Sequence, residues 1–412
     1  MLRVLFIWPP YVEYIYSLQK RFTDFGETAT YVANQADFSV TVMDGTAHML
    51  FQWDFISAYA EEYDFLVICT DTHNALQAVR AAHQCKRITR HTRIVAFGQA
   101  AAYVPDFLLS EGFDAVVVTP MYEDTLVRYM RSCSHDGCDK PVVGVATRHN
   151  GQVTIVPDDR PLSICHVPFP NLALLPFEQY KHISGRDQIC FSVSRGCPYS
   201  CRFCRVPVSQ GSHLANKSVD EIIAYLPNVV DRAASLKFIA PTFTADREWS
   251  LNLSSRISKA GIRCKWIVTT RLELLDEELL MEMSRAGCIA IAFGLETLYP
   301  ETQRQVDKHL PEALVLEKVG LMRYHGIIPK AFVMLGIPGQ TRQEIEDLYA
   351  FLQRHQIEIR PKEYYPYERL RESADHQATL ARVARDGVYK SPIAGVTPVE
   401  FVRWLNTRTA VR

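Results

Sequence analysis

The chain has 412 residues, which is too long for one ordinary domain and suits two or three. It carries 45 basic and 46 acidic residues, and this net charge of -1 indicates no general affinity for polyanions. No nucleic-acid partner is expected, with a local basic patch as the alternative. Its longest apolar runs have the length of a strand, far below the roughly 20 residues of a membrane span, so no membrane partner is expected. Most of the 11 cysteines stand singly, which favours a reducing cytoplasm as the location.

Residues 1–130 alternate apolar, β-branched or aromatic runs with polar stretches, most of them long enough for a helix. The runs are residues 2–8, 39–43, 65–70, 93–97 and 115–118. This alternation predicts an α/β fold with a doubly wound, Rossmann-like parallel sheet. Ligands of such sheets bind outside the carboxyl ends of the strands, here residues 9–14, 44–48, 71–74 and 98–103. None of these segments contains the GxGxxG fingerprint of a dinucleotide site.

Residues 131–185 are rich in turn-forming residues and proline, which predicts an extended connector. Within it, Asn150-Gly151 predicts a short hairpin of residues 144–147 with 152–156. The pair Cys133 and Cys138 is interpreted most simply as surface cysteines, with a second metal or redox pair as the alternative.

Residues 186–360 return to alternating strands and helices. Strands are predicted at 189–193, 236–240, 264–269, 289–293 and 330–335, and helices at 219–228, 247–260, 276–286, 311–325 and 342–355. Thr341 and Glu344 form a capping-box pattern at the start of the last helix. Repeated units of this kind predict a partial (β/α)6 barrel with its chemistry at the carboxyl ends of the strands.

Residues 361–412 form a small C-terminal extension with helical patterns at 369–386 and 399–405. Tyr364, Tyr365 and Tyr367 either close over a substrate or belong to a half-buried last strand. The sequence thus predicts four segments, at residues 1–130, 131–185, 186–360 and 361–412.

Three cysteines, Cys197, Cys201 and Cys204, stand at i, i+4 and i+7, with Phe203 before the last. Thiols crowded in this way usually hold a metal. A structural zinc site closes with four ligands, whereas a four-iron cube held by three cysteines keeps one iron open for another molecule. A zinc site or a redox trio is the alternative interpretation.

This CxxxCxxC motif resembles that of the radical S-adenosylmethionine (radical SAM) family. The resemblance implies a [4Fe-4S] cluster on Cys197, Cys201 and Cys204, with S-adenosylmethionine on the open iron. It also implies that one electron, from a reducing protein such as flavodoxin or ferredoxin, cleaves S-adenosylmethionine to a 5′-deoxyadenosyl radical.

Three further segments resemble family motifs that contact S-adenosylmethionine. Gly294-Leu295-Glu296-Thr297 is similar to a Gly-(Ile/Leu)-Glu-Ser element, and the turn from Gly336 through Pro338 to Thr341 is similar to one behind the adenine. Arg271 stands where relatives carry an arginine beside the ligand carboxylate. The resemblance therefore implies cofactor-binding roles for Arg271, Gly294, Glu296, Thr297, Gly336 and Pro338.

One segment departs from the family pattern. Relatives commonly offer Gly-Gly-Glu or an acidic pair after the second barrel strand, whereas here no acid occurs between Ala240 and Asp246. Thr242 or backbone carbonyls are the expected substitutes.

The first sheet resembles the cobalamin-binding domain that precedes the barrel in many radical SAM enzymes. The similarity lies in Pro9-Pro10, Asp44, Gly98 and the stretch from Gly112 to Val118. It implies cobalamin contacts at Asp71, Thr72 and His73, because the third loop lies under the corrin in relatives, and at Gly98 after the fourth strand. The DxHxxG pattern that provides a cobalt ligand elsewhere is missing after the first strand, and a solvated or hydrogen-bonded loop histidine is the favoured interpretation of His73.

Together these resemblances imply cobalamin-dependent methylation of an unactivated carbon in a small molecule of natural-product type. The alternatives are a cobalamin-independent rearrangement, dehydration, oxidation or sulfur insertion by the same radical, or an iron–sulfur sensor without catalysis. No individual catalytic residue is predicted.

Overall fold

The computed structural model describes residues 1–10, 18–48, 60–89, 91–135, 141–365, 367, 372–384 and 391–407. The chain forms two compact units. The first contains Met1–Phe191, Val206–Asn216 and Glu368–Gly387, and the second contains Ser192–Arg205, Lys217–Tyr367 and Val388–Arg412. Cys138 and parts of the predicted segments 9–14 and 369–386 lie outside the described residues. The four-segment division expected from the sequence stays a proposal.

The first sheet has seven strands in the order β2-β1-β3-β4-β5-β6-β7. Its strands are β1 (Leu2–Trp8), β2 (Phe38–Asp44), β3 (Phe65–Cys69), β4 (Arg93–Phe97), β5 (Ala115–Val117), β6 (Val145–His149) and β7 (Gln152–Ile155). The strands β1 to β5 are parallel, which confirms the predicted doubly wound sheet. β3 is buried along its whole length, as expected for a strand covered on both faces.

The two added strands, β6 and β7, form the predicted Asn-Gly hairpin. Asn150 and Gly151 both have positive φ, at 50° and 81°, as a tight hairpin turn requires. The hairpin was expected to lie within an extended connector. Instead, β6 pairs antiparallel with β5, so the hairpin extends the first sheet.

Cys133 is disulfide-bonded, whereas the sequence analysis favoured a surface cysteine at this position.

The second sheet has six strands in the order β15-β14-β13-β12-β11-β8. They are β8 (Gln188–Ser192), β11 (Ser235–Ile239), β12 (Trp266–Thr270), β13 (Cys288–Glu296), β14 (Ile328–Leu335) and β15 (Glu358–Glu363), with two-residue strands β9 (Ser194–Arg195) and β10 (Ala215–Asn216) between β8 and β11 in the chain. Neighbours in space are neighbours in sequence, which agrees with the predicted partial barrel.

β15 is a strand that the sequence analysis did not assign. Its segment contains Pro361 and charged residues, which are unfavourable in a central strand. An edge strand tolerates both, because one side of its ladder needs no partner. Tyr364, Tyr365 and Tyr367 therefore lie beyond the carboxyl end of β15 and not within it.

The five helices predicted between residues 219 and 355 match the observed helices to within three residues, and several helices begin at a local cap. Capping boxes are present at Ser218 with Glu221, Thr341 with Glu344 and Thr397 with Glu400. The main helices are Thr28–Ala33, Ala75–Ile88, Gln99–Tyr103, Pro105–Ser110, Tyr122–His135, Phe177–Ser184, Val206–Gln210, Val219–Tyr225, Arg247–Lys259, Glu277–Arg285, Pro300–Gln305, Glu312–Tyr324, Arg342–Arg354, His376–Ala384 and Pro398–Asn406, and Thr28–Ala33 is preceded by Leu18–Lys20 and a π-helix at Arg21–Glu27. Within the described ranges, no helix combines the length and apolarity of a membrane span.

Gly287 and Gly320 provide a matched test of the second unit. Gly287 has a φ of 90°, and a Cβ there would overlap the carbonyl oxygen of Cys264, whereas Gly320 lies in the helix Glu312–Tyr324 with no atom within 4 Å of an added Cβ. We expect Gly287→Ala to lower the free energy of unfolding by at least about 2 kcal/mol and Gly320→Ala to raise it by about 0.5–1 kcal/mol. Denaturant unfolding followed by circular dichroism checks both, and equal effects would contradict the assigned backbone.

Candidate functional site

The three predicted cysteines lie on one loop directly after β9. Gly196, with a φ of 76°, turns the chain into this loop. Cys197 is buried, Cys201 and Cys204 are half-buried, and the Cys204 amide donates to the Cys201 carbonyl over 2.9 Å. The structure thus gathers the three residues on one short turn of the second unit.

The donor set of this loop suits an iron–sulfur cluster. Three thiols at i, i+4 and i+7 can each bind a different iron of a four-iron cube, which leaves the fourth iron open. A structural zinc site closes with four ligands.

Arg271 follows β12 and reaches the cysteine loop. Its Nη1 donates to Cys201 Sγ over 3.2 Å, its Nε donates to Glu273 over 2.7 Å, and its guanidinium lies 4.3 Å from the centre of the Tyr199 ring. Burial lowers the pKa of Arg271, but the attraction of Glu273 and Cys201 outweighs burial and leaves the pKa above its usual value. The side chain therefore brings a fixed positive charge to a cysteine sulfur.

Glu296 ends β13 and is buried together with a lysine that the sequence analysis missed. Lys308 Nζ lies 3.5 Å from Glu296 Oε1, and both side chains are almost fully buried. Burial raises the pKa of Glu296, while Lys308 and then Arg271 oppose this rise. A Cβ at Gly294 would overlap the ends of the Glu296 and Lys308 side chains, which would have to shift.

Thr297, the next predicted residue, is fully buried and held through its backbone. Its carbonyl accepts from Gln303 Nε2 over 3.0 Å, and the same amide group donates to the Leu310 carbonyl over 3.1 Å. Neither Gln303 nor Lys308 lies in a motif, and only their folding back onto the end of β13 reveals their role.

The Gly336 turn after β14 is closed by its own glutamine. Gln340 Oε1 accepts from the amides of Gly336 and Ile337 over 2.7 and 3.3 Å, and Nε2 donates to the Met334 carbonyl over 3.0 Å. Gly336 has a φ of 90°, and a Cβ there would lie 2.6 Å from Pro392. Pro338 is exposed at the tip of the turn. Glutamine suits this position because its amide group both accepts and donates, whereas a carboxylate has no proton to donate to the Met334 carbonyl.

Threonine hydroxyls occupy the place after β11 where the expected acid is missing. Thr242 Oγ1 lies 3.5 Å from Cys197 Sγ, and the hydroxyls of Thr244 and Thr270 lie 2.5 Å apart. Asp246 accepts from the Trp249 amide as the N-cap of the next helix, so it serves the fold. Thr242 is therefore a polar side chain in contact with a cysteine at this strand end.

The predicted residues of the first unit lie at the carboxyl ends of β3 and β4. Asp71 accepts hydrogen bonds from the Thr72 hydroxyl over 3.1 Å and from the His73 amide over 3.3 Å, and its second oxygen pairs with Lys20. Lys20 also donates to Gln99 over 3.0 Å. Gly98, with a φ of 100°, passes so close to Thr70 that a Cβ there would lie 2.9 Å from its carbonyl oxygen.

A second buried ion pair lies beside this group. Arg21 and Asp44 are both fully buried and 2.7 Å apart, and the guanidinium of Arg21 lies 4.7 Å from the centre of the Trp8 ring. Lys20 and Arg21 therefore neutralise the two acids at this edge of the sheet, a pairing that no sequence motif indicated.

Comparison with known proteins agrees with this geometry. The model of the radical SAM superfamily matches residues 191–352, which contain the cysteine loop and β11 to β14. Residues 191–352 therefore form a radical SAM domain.

Two curated relatives of this radical SAM chain carry methyl-transfer names. An uncharacterized methyltransferase, PH0819 of Pyrococcus horikoshii, is 26% identical over 333 residues, which cover 78% of this chain and 71% of that protein. The hopanoid C-2 methylase of Rhodopseudomonas palustris is 26% identical over 221 residues, which cover 52% of this chain and only 41% of that protein.

Among solved structures, the methyltransferase TsrM of Kitasatospora setae, determined with cobalamin and a [4Fe-4S] cluster bound, has a similar fold. The TM-score is 0.73 at 15% identity, with 89% of this chain and 74% of that chain covered. The likeness extends well beyond residues 191–352 and therefore includes the first sheet.

Replacing Lys308 tests the buried pair of this radical SAM domain. We expect Lys308→Met to lower the free energy of unfolding by about 3–5 kcal/mol, because it leaves the Glu296 carboxylate buried without a cation. The double variant Glu296→Gln/Lys308→Met should recover part of this loss. Arg256→Met, which breaks the exposed pair with Asp220, is the control and should cost less than about 1 kcal/mol. Denaturant unfolding measures all three, and equal losses for the two single variants would contradict the assignment.

Proposed function

We propose that this protein is a radical SAM enzyme that methylates an unactivated carbon of a small molecule with the help of cobalamin. The observation that carries the proposal is the order of three features along the chain. A doubly wound sheet comes first, and the three-cysteine loop then follows the first strand of a six-stranded parallel sheet. The fold shared with TsrM and the methyl-transfer names of both curated relatives support it.

Cys197, Cys201 and Cys204 are the proposed cluster ligands. Their three sulfurs suit an iron–sulfur cube with one open iron, and burial of Cys197 beside Thr242 keeps water from that side. When bound, the cluster supplies the low-potential electron that cleaves S-adenosylmethionine. Arg271 contributes a hydrogen bond to Cys201 and holds this part of the loop against the end of β12.

The ends of β13 and β14 are the proposed S-adenosylmethionine contacts. Gly294, Glu296 and Thr297 on one strand end and Gly336 and Pro338 on the next follow the family pattern. Buried Glu296 is already paired with Lys308, so we expect it to shape the backbone at this edge as much as to accept a hydrogen bond from the ligand.

Asp71, Thr72, His73 and Gly98 are the proposed cobalamin contacts. They lie at the carboxyl ends of β3 and β4, where doubly wound sheets bind their ligands. The close approach of Gly98 to the Thr70 carbonyl and the Lys20–Asp71 pair keep this edge compact.

A small-molecule substrate and an external reductant follow from the match of residues 191–352 to the radical SAM superfamily. We propose a natural-product substrate, a flavodoxin or ferredoxin as the electron donor and the cytoplasm as the location, the last because most of the 11 cysteines stand singly in the sequence.

Cysteine variants test the cluster assignment. We expect Cys197→Ala, Cys201→Ala and Cys204→Ala each to lose the cluster and S-adenosylmethionine cleavage, since the cube needs all three thiolates. Cys264→Ala is the control and should keep both. Iron content, the visible spectrum after anaerobic reconstitution and 5′-deoxyadenosine formation are the readouts, and retention of the full cluster by any of the three variants would contradict the assignment.

The methyl-transfer proposal is tested by the corrin and by the product. Protein reconstituted with hydroxocobalamin should retain cobalt after desalting, and the product should gain one methylene equivalent in mass. A protein that cleaves S-adenosylmethionine but retains no corrin would instead support a cobalamin-independent radical reaction. Absence of 5′-deoxyadenosine under reducing conditions would favour the sensor alternative.

Substitutions of Arg271 and Glu273 should shift the midpoint potential of the cluster in opposite directions. We expect Arg271→Gln to shift the cluster midpoint potential to more negative values, because a hydrogen bond and a positive charge at Cys201 stabilise the reduced cluster. Glu273→Gln removes a negative charge and should shift the potential the other way. Redox titration followed by electron paramagnetic resonance measures both, and an unchanged potential in Arg271→Gln would contradict the proposed contact.

A further inference from the structure

The strands β14 and β15 each have one buried face and one face that reaches solvent. Successive side chains of a strand point to opposite faces of the sheet, so alternate residues share a face. The buried set is apolar, whereas the other set contains most of the charged residues of these two strands. The buried set is Ala331, Val333, Leu335, Ile359 and Pro361, and the other set, the open face, is Lys330, Phe332, Met334, Glu358, Arg360 and Lys362.

The open face is turned away from the helices. The helices Glu312–Tyr324 and Arg342–Arg354 pack against β14 and β15, and both bury apolar side chains. In a barrel of βα units the helices cover the outer surface, and the opposite face of the sheet lines the interior. The open face therefore belongs to the interior of the partial barrel.

Neighbouring strands extend the open face toward the centre of the sheet. Lys330 stands in register between Ala292 of β13 and Glu358 of β15, and Ala292 stands in register with Thr269 of β12. Residues that are directly opposite each other in a sheet have their side chains on the same face. Thr269 and Ala292 have small side chains, which leave space beside Lys330 for part of a ligand.

Two cations on the open face share one carboxylate. Lys330 Nζ lies 2.8 Å from Glu358 Oε2, and Arg360 Nη2 pairs with Glu358 Oε1. The side chains of Lys330, Glu358 and Arg360 are only 14%, 13% and 23% exposed. These three side chains together keep one excess positive charge in a half-buried setting, where a charge without a counter-charge is costly.

A second ion pair on this face does not offset the excess charge. The ends of the Glu296 and Lys308 side chains lie over Gly294, and the two groups neutralise each other. Gly294 stands in register with Phe332, and Phe332 with Arg360. The neutral pair thus lies on the same face as Arg360 and leaves its positive charge available to a ligand.

The open face leads to the edge of the sheet that carries the cysteine loop. Arg360 precedes the end of β15 at Glu363 by three residues, a rise of about 10 Å along a strand. Beyond that end, the Tyr367 ring centre lies 5.8 Å from the guanidinium of Arg205, the residue after Cys204. A small molecule anchored beside Arg360 can therefore extend along the open face toward the cysteines.

We propose that the substrate carries an oxyanion, either a phosphate or phosphonate group or a carboxylate, and that Lys330 and Arg360 bind this group on the open face. The guanidinium fork and the ammonium suit such oxygens because charge-assisted hydrogen bonds to oxyanions are short and strong. The inference rests on the proposed function in that the barrel holds a substrate. It deepens that function because it gives the chemical class of the substrate.

Equilibrium dialysis of the full-length protein against radiolabelled inorganic phosphate, and in parallel against radiolabelled acetate, tests the site. We expect saturable binding, and the anion that binds more tightly distinguishes a phosphate or phosphonate substrate from a carboxylate. Lys330→Gln and Arg360→Gln should each lower the affinity at least about tenfold. Arg256→Gln, which removes a guanidinium from the exposed pair with Asp220, is the control and should change the affinity less than about twofold.

A variant of the shared acid adds a test of opposite sign. We expect Glu358→Gln to raise the anion affinity at least about threefold, because it removes the carboxylate that competes for both cations. An ion network that serves only the fold would instead lose affinity or show no change when Glu358 is replaced. This measurement does not depend on the folding of the two cation variants, and circular dichroism checks that each variant is folded.

Three outcomes would overturn the inference: no saturable binding of either anion by the wild-type protein, equal affinities of the wild type and Arg360→Gln, or an affinity of Glu358→Gln that does not rise. Formation of 5′-deoxyadenosine by the reconstituted wild type is measured separately. If it forms while neither anion binds, the inference fails and the proposed function stands. If an anion binds but no 5′-deoxyadenosine forms, the proposed function fails, and the assignment of the anion to a substrate fails with it.

Discussion

Parallel pairing of strands is the constraint on which both units depend. A right-handed crossover returns the chain to the same end of the sheet, so every strand ends at one edge. Residues far apart in the chain, such as Cys197, Arg271 and Glu296, are thereby placed at the carboxyl ends of one sheet. The same rule places Asp44, Asp71 and Gly98 at one edge of the first sheet. The topology of each sheet, more than any single side chain, determines that the functional residues lie at these edges.

Buried charge at these edges is paired in each case described. Arg21 meets Asp44, Lys20 meets Asp71 and Lys308 meets Glu296. Arg271 is half-buried and meets the exposed Glu273. An isolated charge in such a setting carries a desolvation cost of several kcal/mol, and pairing offsets this cost only when the geometry is good. Hydrophobic residues could fill the same space without this desolvation cost. The pairs are therefore better explained by the groups that they orient, which are a cysteine sulfur, a strand end and a histidine ring.

Much of the architecture could be predicted because residues close together in the sequence indicate each strand or helix. Apolar runs of strand length marked ten of the parallel strands, and the Thr341–Glu344 capping box marked the start of its helix. What could not be predicted depends on distant partners. The hairpin β6–β7 was found from Asn150-Gly151, but nothing in its own residues indicates that β5 is its partner. β15 was missed because its proline and charges are permitted only at a sheet edge, and edge position is a property of the assembled sheet.

The candidate site divides in the same way. By itself, the sequence determined the three-cysteine motif, the glycine turns and hence the radical SAM character of residues 191–352, because spacing along the chain is all that these patterns require. Only the tertiary structure decided which side chains meet them: Arg271 at Cys201, Lys308 at Glu296, Gln340 within its own turn and Asp71 at His73. These contacts arise where separate segments fold to the same sheet edge, and the distances between side chains there are set by packing, which no local pattern encodes.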